Sequence, residues 1–134
     1  MQRVAAAFLL AFVALASFSS GRASAIQNCG SGIPCWVETA PPTYVQLGAY
    51  SAFKVPYVNV LNTASVGIVF MVVRNSTYQT VEISTSTLQL GAAANGTAYT
   101  IAFGLGPGTY SATFFAYDPY YGQISNSEAA SFTQ

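Results

Sequence analysis

The sequence predicts an all-β sandwich of about seven antiparallel strands, preceded by a cleaved secretory signal peptide, and three observations carry that prediction. Beyond residue 25 no stretch places apolar residues at helical spacing. Short runs of β-branched and aromatic residues recur instead, each closed by Gly, Asn, Pro or Ser, which is how strands and turns alternate in a sandwich. The first 25 residues stand apart from this pattern in both composition and period.

That leading segment has the three parts of an export signal. Arg3 gives a positive start, Val4 to Phe18 form an apolar run, and Ala23-Ser24-Ala25 is a small-x-small cleavage site. A permanent anchor helix needs about 20 apolar residues. This run is shorter and ends in Ser19-Ser20-Gly21-Arg22. Cleavage after Ala25 is therefore expected, giving a signal peptide at 1–25, an N-terminal segment at 26–42 and a sandwich at 43–134. No transmembrane segment remains in the mature chain on this reading. An exported chain resides in an oxidising compartment, so Cys29 and Cys35, the only cysteines, read as a disulfide that closes the N-terminal segment. Gly30, Gly32 and Pro34 suit the tight loop between them.

The strands follow in order. Pro41-Pro42 opens the domain, and Tyr44 to Leu47 is a first edge strand. Val55 to Leu61 comes next, with Pro56 near its start favouring an edge, since proline cannot donate to a sheet ladder. Gly67 to Arg74 is apolar on both faces, so it is covered on both sides. Asn75 to Tyr78 turns the chain into Val81 to Leu90, and Gly91 to Gly96 is a loop of small residues. Thr97 to Leu105 alternates, with Tyr99, Ile101, Phe103 and Leu105 on one face and Ala98, Thr100 and Ala102 on the other. Gly106-Pro107-Gly108 turns again. Thr109 to Tyr117 places Tyr110, Ala112, Phe114 and Ala116 inward and Thr113, Phe115 and Tyr117 outward. Asp118 to Gly122 is a turn, and Ile124 to Thr133 closes the domain.

Seven strands is the count of an immunoglobulin-like sandwich. The stretch Leu105-Gly106-Pro107-Gly108-Thr109-Tyr110-Ser111-Ala112 resembles fibronectin type III and related immunoglobulin-like domains, in which a leucine, a Pro-Gly turn and a tyrosine introduce the penultimate strand. The likeness continues through Ala116, Gly122 and Ser125 to Ser127, and ends at Phe132-Thr133. It implies that Tyr110 is the tyrosine corner, whose hydroxyl bonds backbone. Upstream the chain departs from that family, because its only tryptophan, Trp36, precedes the first strand.

Composition narrows the chemistry. Of 134 residues 52% are hydrophobic and 6% charged, with four Lys+Arg, four Asp+Glu and no His. Four cations cannot build a phosphate-neutralising stripe, which argues against nucleic-acid binding. Without histidine no Ser-His-Asp or Cys-His site can form. A carboxylate pair drawn from Glu38, Glu82, Asp118 and Glu128 is the remaining catalytic option. Glu82 and Glu128 alternate with apolar neighbours and so belong on solvent faces, and Asp118 before Pro119 is turn chemistry. The reading is therefore no catalytic residues, no cofactor and no metal, since carboxylates this scattered do not make a calcium loop.

After cleavage Lys54 and Arg74 face Glu38, Glu82, Asp118 and Glu128, a charge density far below that of ordinary soluble surfaces. Glycans on the sequons at Asn75 and Asn95 would hydrate such a surface. Most aromatics are expected in the core. Phe115 and Tyr117, outward on their strand, and Tyr120 and Tyr121 in the adjacent turn form a candidate contact surface. Strand edges that carry a single lysine lack the usual protection against pairing with a neighbour. A non-catalytic, exported structural module of the cell surface follows, assembling into a filament, pilus or surface layer with itself or another surface protein. The alternatives are a module binding glycans or a partner protein, or an accessory subunit of a surface complex.

Overall fold

The computed structural model describes residues 35–134. The signal segment 1–25 and Cys29 lie outside the described residues. Nine strands make two antiparallel sheets, with no helix among the described residues. They are β1 (Val37–Thr39), β2 (Thr43–Leu47), β3 (Tyr50–Asn59), β4 (Ser65–Asn75), β5 (Thr80–Leu90), β6 (Asn95–Phe103), β7 (Thr109–Asp118), β8 (Gly122–Gln123) and β9 (Glu128–Thr133).

The front sheet has β3 at its centre, with β6 on one edge and both β1 and β2 on the other. The back sheet runs β5, β4, β7, with β8 and β9 sharing the last edge. Nine strands thus occupy about the seven places expected, because two edge strands are interrupted. Pro41-Pro42 supplies no amide hydrogen and splits the first edge, so that Thr39 opposes Tyr57 whereas Thr43 opposes Lys54. The sheet begins within the segment 26–42: Val37 is fully buried and β1 pairs with β3.

Pro56 does not mark an edge, since β3 is central. Its carbonyl accepts the Ala40 amide at 3.1 Å, so its missing N–H is directed at the interruption beside Pro41-Pro42, where no ladder donor is required. The Leu47–Tyr50 pair is closed by Gly48-Ala49, with Gly48 at φ +63° as a tight hairpin needs.

The core lies between the sheets. Phe53 from β3 meets Phe114 from β7 at 5.3 Å and Phe132 from β9 at 5.0 Å between ring centroids. Val55, Tyr57, Val69, Met71 and Val73 complete it. Only Phe53, Tyr57, Phe114 and Phe132 among the described aromatics are fully buried, fewer than the sequence reading expects. The reason is β6, which turns Ala98, Thr100 and Ala102 inward against this ring cluster and leaves its large side chains outside. Asn95 and Gly96, expected in the loop from Gly91 to Gly96, belong to β6. Asn95 opens β6 opposite Val58, and a Cβ at Gly96 would run into the Leu90 side chain.

One flank of the sandwich is stitched shut. Trp36 and Val37 amides both donate to the Ile124 carbonyl, at 3.0 and 3.1 Å. Asn126 bonds the Thr39 amide and carbonyl across 87 residues of sequence. Ser51 reaches Gln134 at 3.0 Å across 83 residues, and Tyr44 lies against both Phe53 and Phe132.

The Tyr110 hydroxyl donates to the Gly106 carbonyl at 2.8 Å, four residues upstream, and its ring stacks on Phe132. That bond lies at the surface, where water can replace it. Tyr110→Phe should therefore cost about 1 kcal/mol, measured as a shift in the urea midpoint at unchanged slope.

Candidate contact surface

Three cross-strand rows define the outer face of the front sheet. Leu47, Tyr50 and Phe103 form the first, Val45, Ala52 and Ile101 the second, and Thr43, Lys54 and Tyr99 the third. Residues directly opposite on neighbouring strands share a face, so these nine side chains lie on one surface. Val45, Leu47, Tyr50, Tyr99, Ile101 and Phe103 are between 50% and 66% exposed. With aromatic side chains of about 150–250 Å² each, the patch exposes on the order of 600 Å² of mainly apolar surface. Scattered exposed hydrophobics need no explanation, whereas a contiguous patch of this size makes the face a candidate contact site.

The edge of the patch has its own geometry. The Phe103 amide donates to the Glu82 carboxylate at 3.2 Å, which fixes the direction of the β6 backbone. In an antiparallel strand the hydrogen-bonding groups of alternate residues point the same way. The backbone groups of Tyr99, Ile101 and Phe103 therefore turn away from β3, towards β5. Beside them runs a groove of about 460 Å³, walled by these three side chains and by Ser84 and Thr85 of β5.

Glu82 departs from the solvent-face expectation. Val81 and Ile83 are the exposed residues, at 44% and 60%, while Glu82 is half-buried and turned to the β6 edge. It opposes Val73 on the inner side of the back sheet, next to the register shift at Val73/Arg74. Burial raises its carboxyl above the ordinary value, with the Phe103 amide pulling partly the other way. Below 4.5, the ordinary value, folded and unfolded chains both hold the proton. Above it the unfolded chain releases a proton that the native chain keeps, so native stability falls as pH rises through this window. Glu82→Gln should remove that slope, seen in urea midpoints taken from about pH 4 to pH 7.

The four aromatics singled out in the sequence divide into two places. Phe115 and Tyr117 are half-buried on the outer face of the back sheet, where Phe70 stacks on Phe115 at 5.5 Å and meets Tyr117 edge-on at 5.8 Å. Tyr120 and Tyr121 sit at the β7–β8 turn, held by their amides to the Asp118 carboxylate at 2.8 and 3.1 Å. Tyr121 packs against Trp36 at 4.7 Å, and Tyr120 projects into solvent. Of the sequon residues, Asn95 is exposed at the start of β6. Asn75 accepts from the Thr77 and Gln79 amides, both at 3.0 Å, and so organises its own turn. Cys35 is buried beside β1, its expected partner Cys29 falling outside the described residues.

The front-sheet patch escapes a reading from sequence because alternation shows that Tyr99, Ile101 and Phe103 share a face without showing which face is inside. The small size of Ala98, Thr100 and Ala102 is the signal: a strand facing a cluster of phenylalanines has room only for small side chains.

No protein-family model and no curated protein matches the chain. Solved structures do resemble it. A β-glucosidase from Erythrobacter marinus aligns with a TM-score of 0.56 at 12% identity, over 78% of this chain and 16% of its own. A β-glucosidase involved in saponin metabolism, from intestinal bacteria, aligns at 0.54 and 14%, over 78% of this chain and 17% of its own. An alkylpurine DNA glycosylase from Pseudomonas fluorescens aligns at 0.52 and 12%, over 74% and 30%. The chain thus corresponds to a small part of each of these proteins, and at such identity the likeness is one of fold.

Proposed function

We propose that this chain is a non-catalytic, exported structural module of the cell surface, with an immunoglobulin-like sandwich, held in its assembly by burial of the front sheet's outer face. The observation that carries the reading is the set of three rows centred on Tyr50, Ala52 and Lys54, apolar at six exposed positions on one sheet face. The low charge of the chain supports it, since a surface with few charges has little to keep neighbours apart. The immunoglobulin-like type is supported by the Tyr110–Gly106 bond, the geometry of a tyrosine corner.

Electron microscopy of cell-derived material tests this. The native chain is expected in ordered surface assemblies. Phe103→Ser should release it from them while changing stability by no more than about 0.5 kcal/mol, because the ring is mostly solvent-exposed. Assemblies that keep the Phe103→Ser chain would overturn the proposal. A glycan-binding module is the second reading, favoured by the groove where Tyr99 and Phe103 stand across from the hydroxyls of Ser84 and Thr85. Retention of monomers on a polysaccharide column would favour it.

A further inference from the structure

A sheet edge invites pairing with another strand, and proteins blunt edges with proline, charge, bulges or interruption. Of the four sheet edges among the described residues, three are blunted. The edge formed by β1 and β2 is split at Pro41-Pro42, and the β7 edge of the back sheet is divided between β8 and β9. On β5 the register shifts, with Val73 opposing Glu82 but Arg74 opposing Thr80. The β6 edge is different. It pairs with β3 in one unbroken register from Asn95 to Phe103 and contains neither proline nor a charged residue.

The outward backbone groups of this edge include those of Thr97, Tyr99, Ile101 and Phe103. Two observations fix their direction. The Phe103 amide turns to Glu82 rather than to β3. At the other end Thr97 opposes Pro56, and a residue without an amide hydrogen suits a pair that exchanges no ladder bonds. Among the described residues no strand pairs with this side of β6. The Glu82 carboxylate stands where a neighbouring strand would place a carbonyl.

We propose that this edge pairs antiparallel with the β6 edge of a second copy of the chain, about a two-fold axis at Thr100, so that two four-stranded front sheets become one. The strand is its own complement. About that axis Thr97 lies opposite the copy's Phe103 and Tyr99 opposite the copy's Ile101, which sets all four outward residues against one another. Every aromatic ring then faces a β-branched residue, a favourable cross-strand combination, and no charge faces a like charge within the strand. That self-match singles out a second copy over a foreign peptide. The Phe103 amide exchanges Glu82 for the copy's Thr97 carbonyl. The inference goes beyond burial of the outer face, because it engages the edge and leaves that face open. It also puts the exposed Tyr99, Ile101 and Phe103 of both copies on one side of the joined sheet.

Hydrogen exchange at single amides, followed on the native chain over a range of concentrations, tests this. In the monomer the outward amides of Tyr99 and Ile101 should exchange fast, while those of Ala98, Thr100 and Ala102, directed at β3, stay slow and serve as references within one strand. As concentration rises, Tyr99 and Ile101 should slow by about tenfold or more, and sedimentation velocity should show dimers forming over the same range. Ile101→Pro removes an outward amide at no cost to the β3 ladder and should abolish the dimer. Ile101→Thr keeps the amide and the β-branching while making the outer face less apolar, and should still dimerise. Fast exchange at Tyr99 and Ile101 at every concentration would overturn the proposal, whether the chain stays monomeric or associates through its outer face. That measurement uses the native chain, so it decides even if Ile101→Pro fails to fold.

Discussion

Phe53→Ala is expected to cost about 3 to 5 kcal/mol, the range for truncating a buried aromatic. The ring is 1% exposed and packs between Phe114, Phe132 and Tyr44. It joins the central strand of one sheet to two strands of the other. Removing it leaves a void whose walls are rings anchored on three separate strands, and these cannot collapse together without moving a sheet. A domain of this size has about 5 to 15 kcal/mol of total stability, so the variant should lose a large part of it. Thermal and urea unfolding followed by tyrosine fluorescence would show the loss, and a change below about 1 kcal/mol would mean that the sheets are not pinned here.

Asn59→Ala is expected to cost about 3 kcal/mol, although the sequence gives Asn59 no prominence. The side chain is 1% exposed. Its amide nitrogen donates to the carbonyls of Thr63 at 2.7 Å and Gly91 at 2.8 Å. Its oxygen accepts from the Leu61 amide at 3.0 Å and the Ser65 hydroxyl at 3.1 Å. One residue thus ties the β3–β4 loop to the β5–β6 loop, and alanine leaves several of these groups without a partner. Asn59→Asp should be worse at neutral pH, because it turns a carboxylate towards two carbonyl oxygens. Partial recovery on acidification, read from the urea midpoint, would confirm that the lost donor is the cause.

Residues such as these show where a sequence stops being informative. The alternation of β4, β6 and β7 is visible in Ile68 to Val73, Tyr99 to Phe103 and Phe114 to Tyr117, since strand period is a local property. Turn chemistry at Asp118 is visible for the same reason. Which face of β6 lies inside depends on Phe53 and Phe114, outside the strand itself, and the only local trace of them is the small size of Ala98, Thr100 and Ala102. Pro56 misleads because its cost depends on what stands opposite, and here that is another interruption. Glu82 misleads because its alternation is intact while the bend beside Val73 and Arg74 decides which side is wet. Asn59 looks like an ordinary strand-end asparagine until the two loops that it joins are folded against it.

The stitched flank has a kinetic consequence. The bonds that close it join Thr39 to Asn126 and Ser51 to Gln134, and Val37 bridges Ser125 in parallel. These are contacts between the earliest and latest strands, so the domain cannot be completed from its beginning onward as the polypeptide emerges. A topology dominated by distant pairings folds slowly, on the order of milliseconds to seconds. Until β9 arrives, β1 and β2 have only β3 to hold them, and Phe53 lacks Phe132. The flank that joins the two sheets therefore closes only after the last described strand has formed.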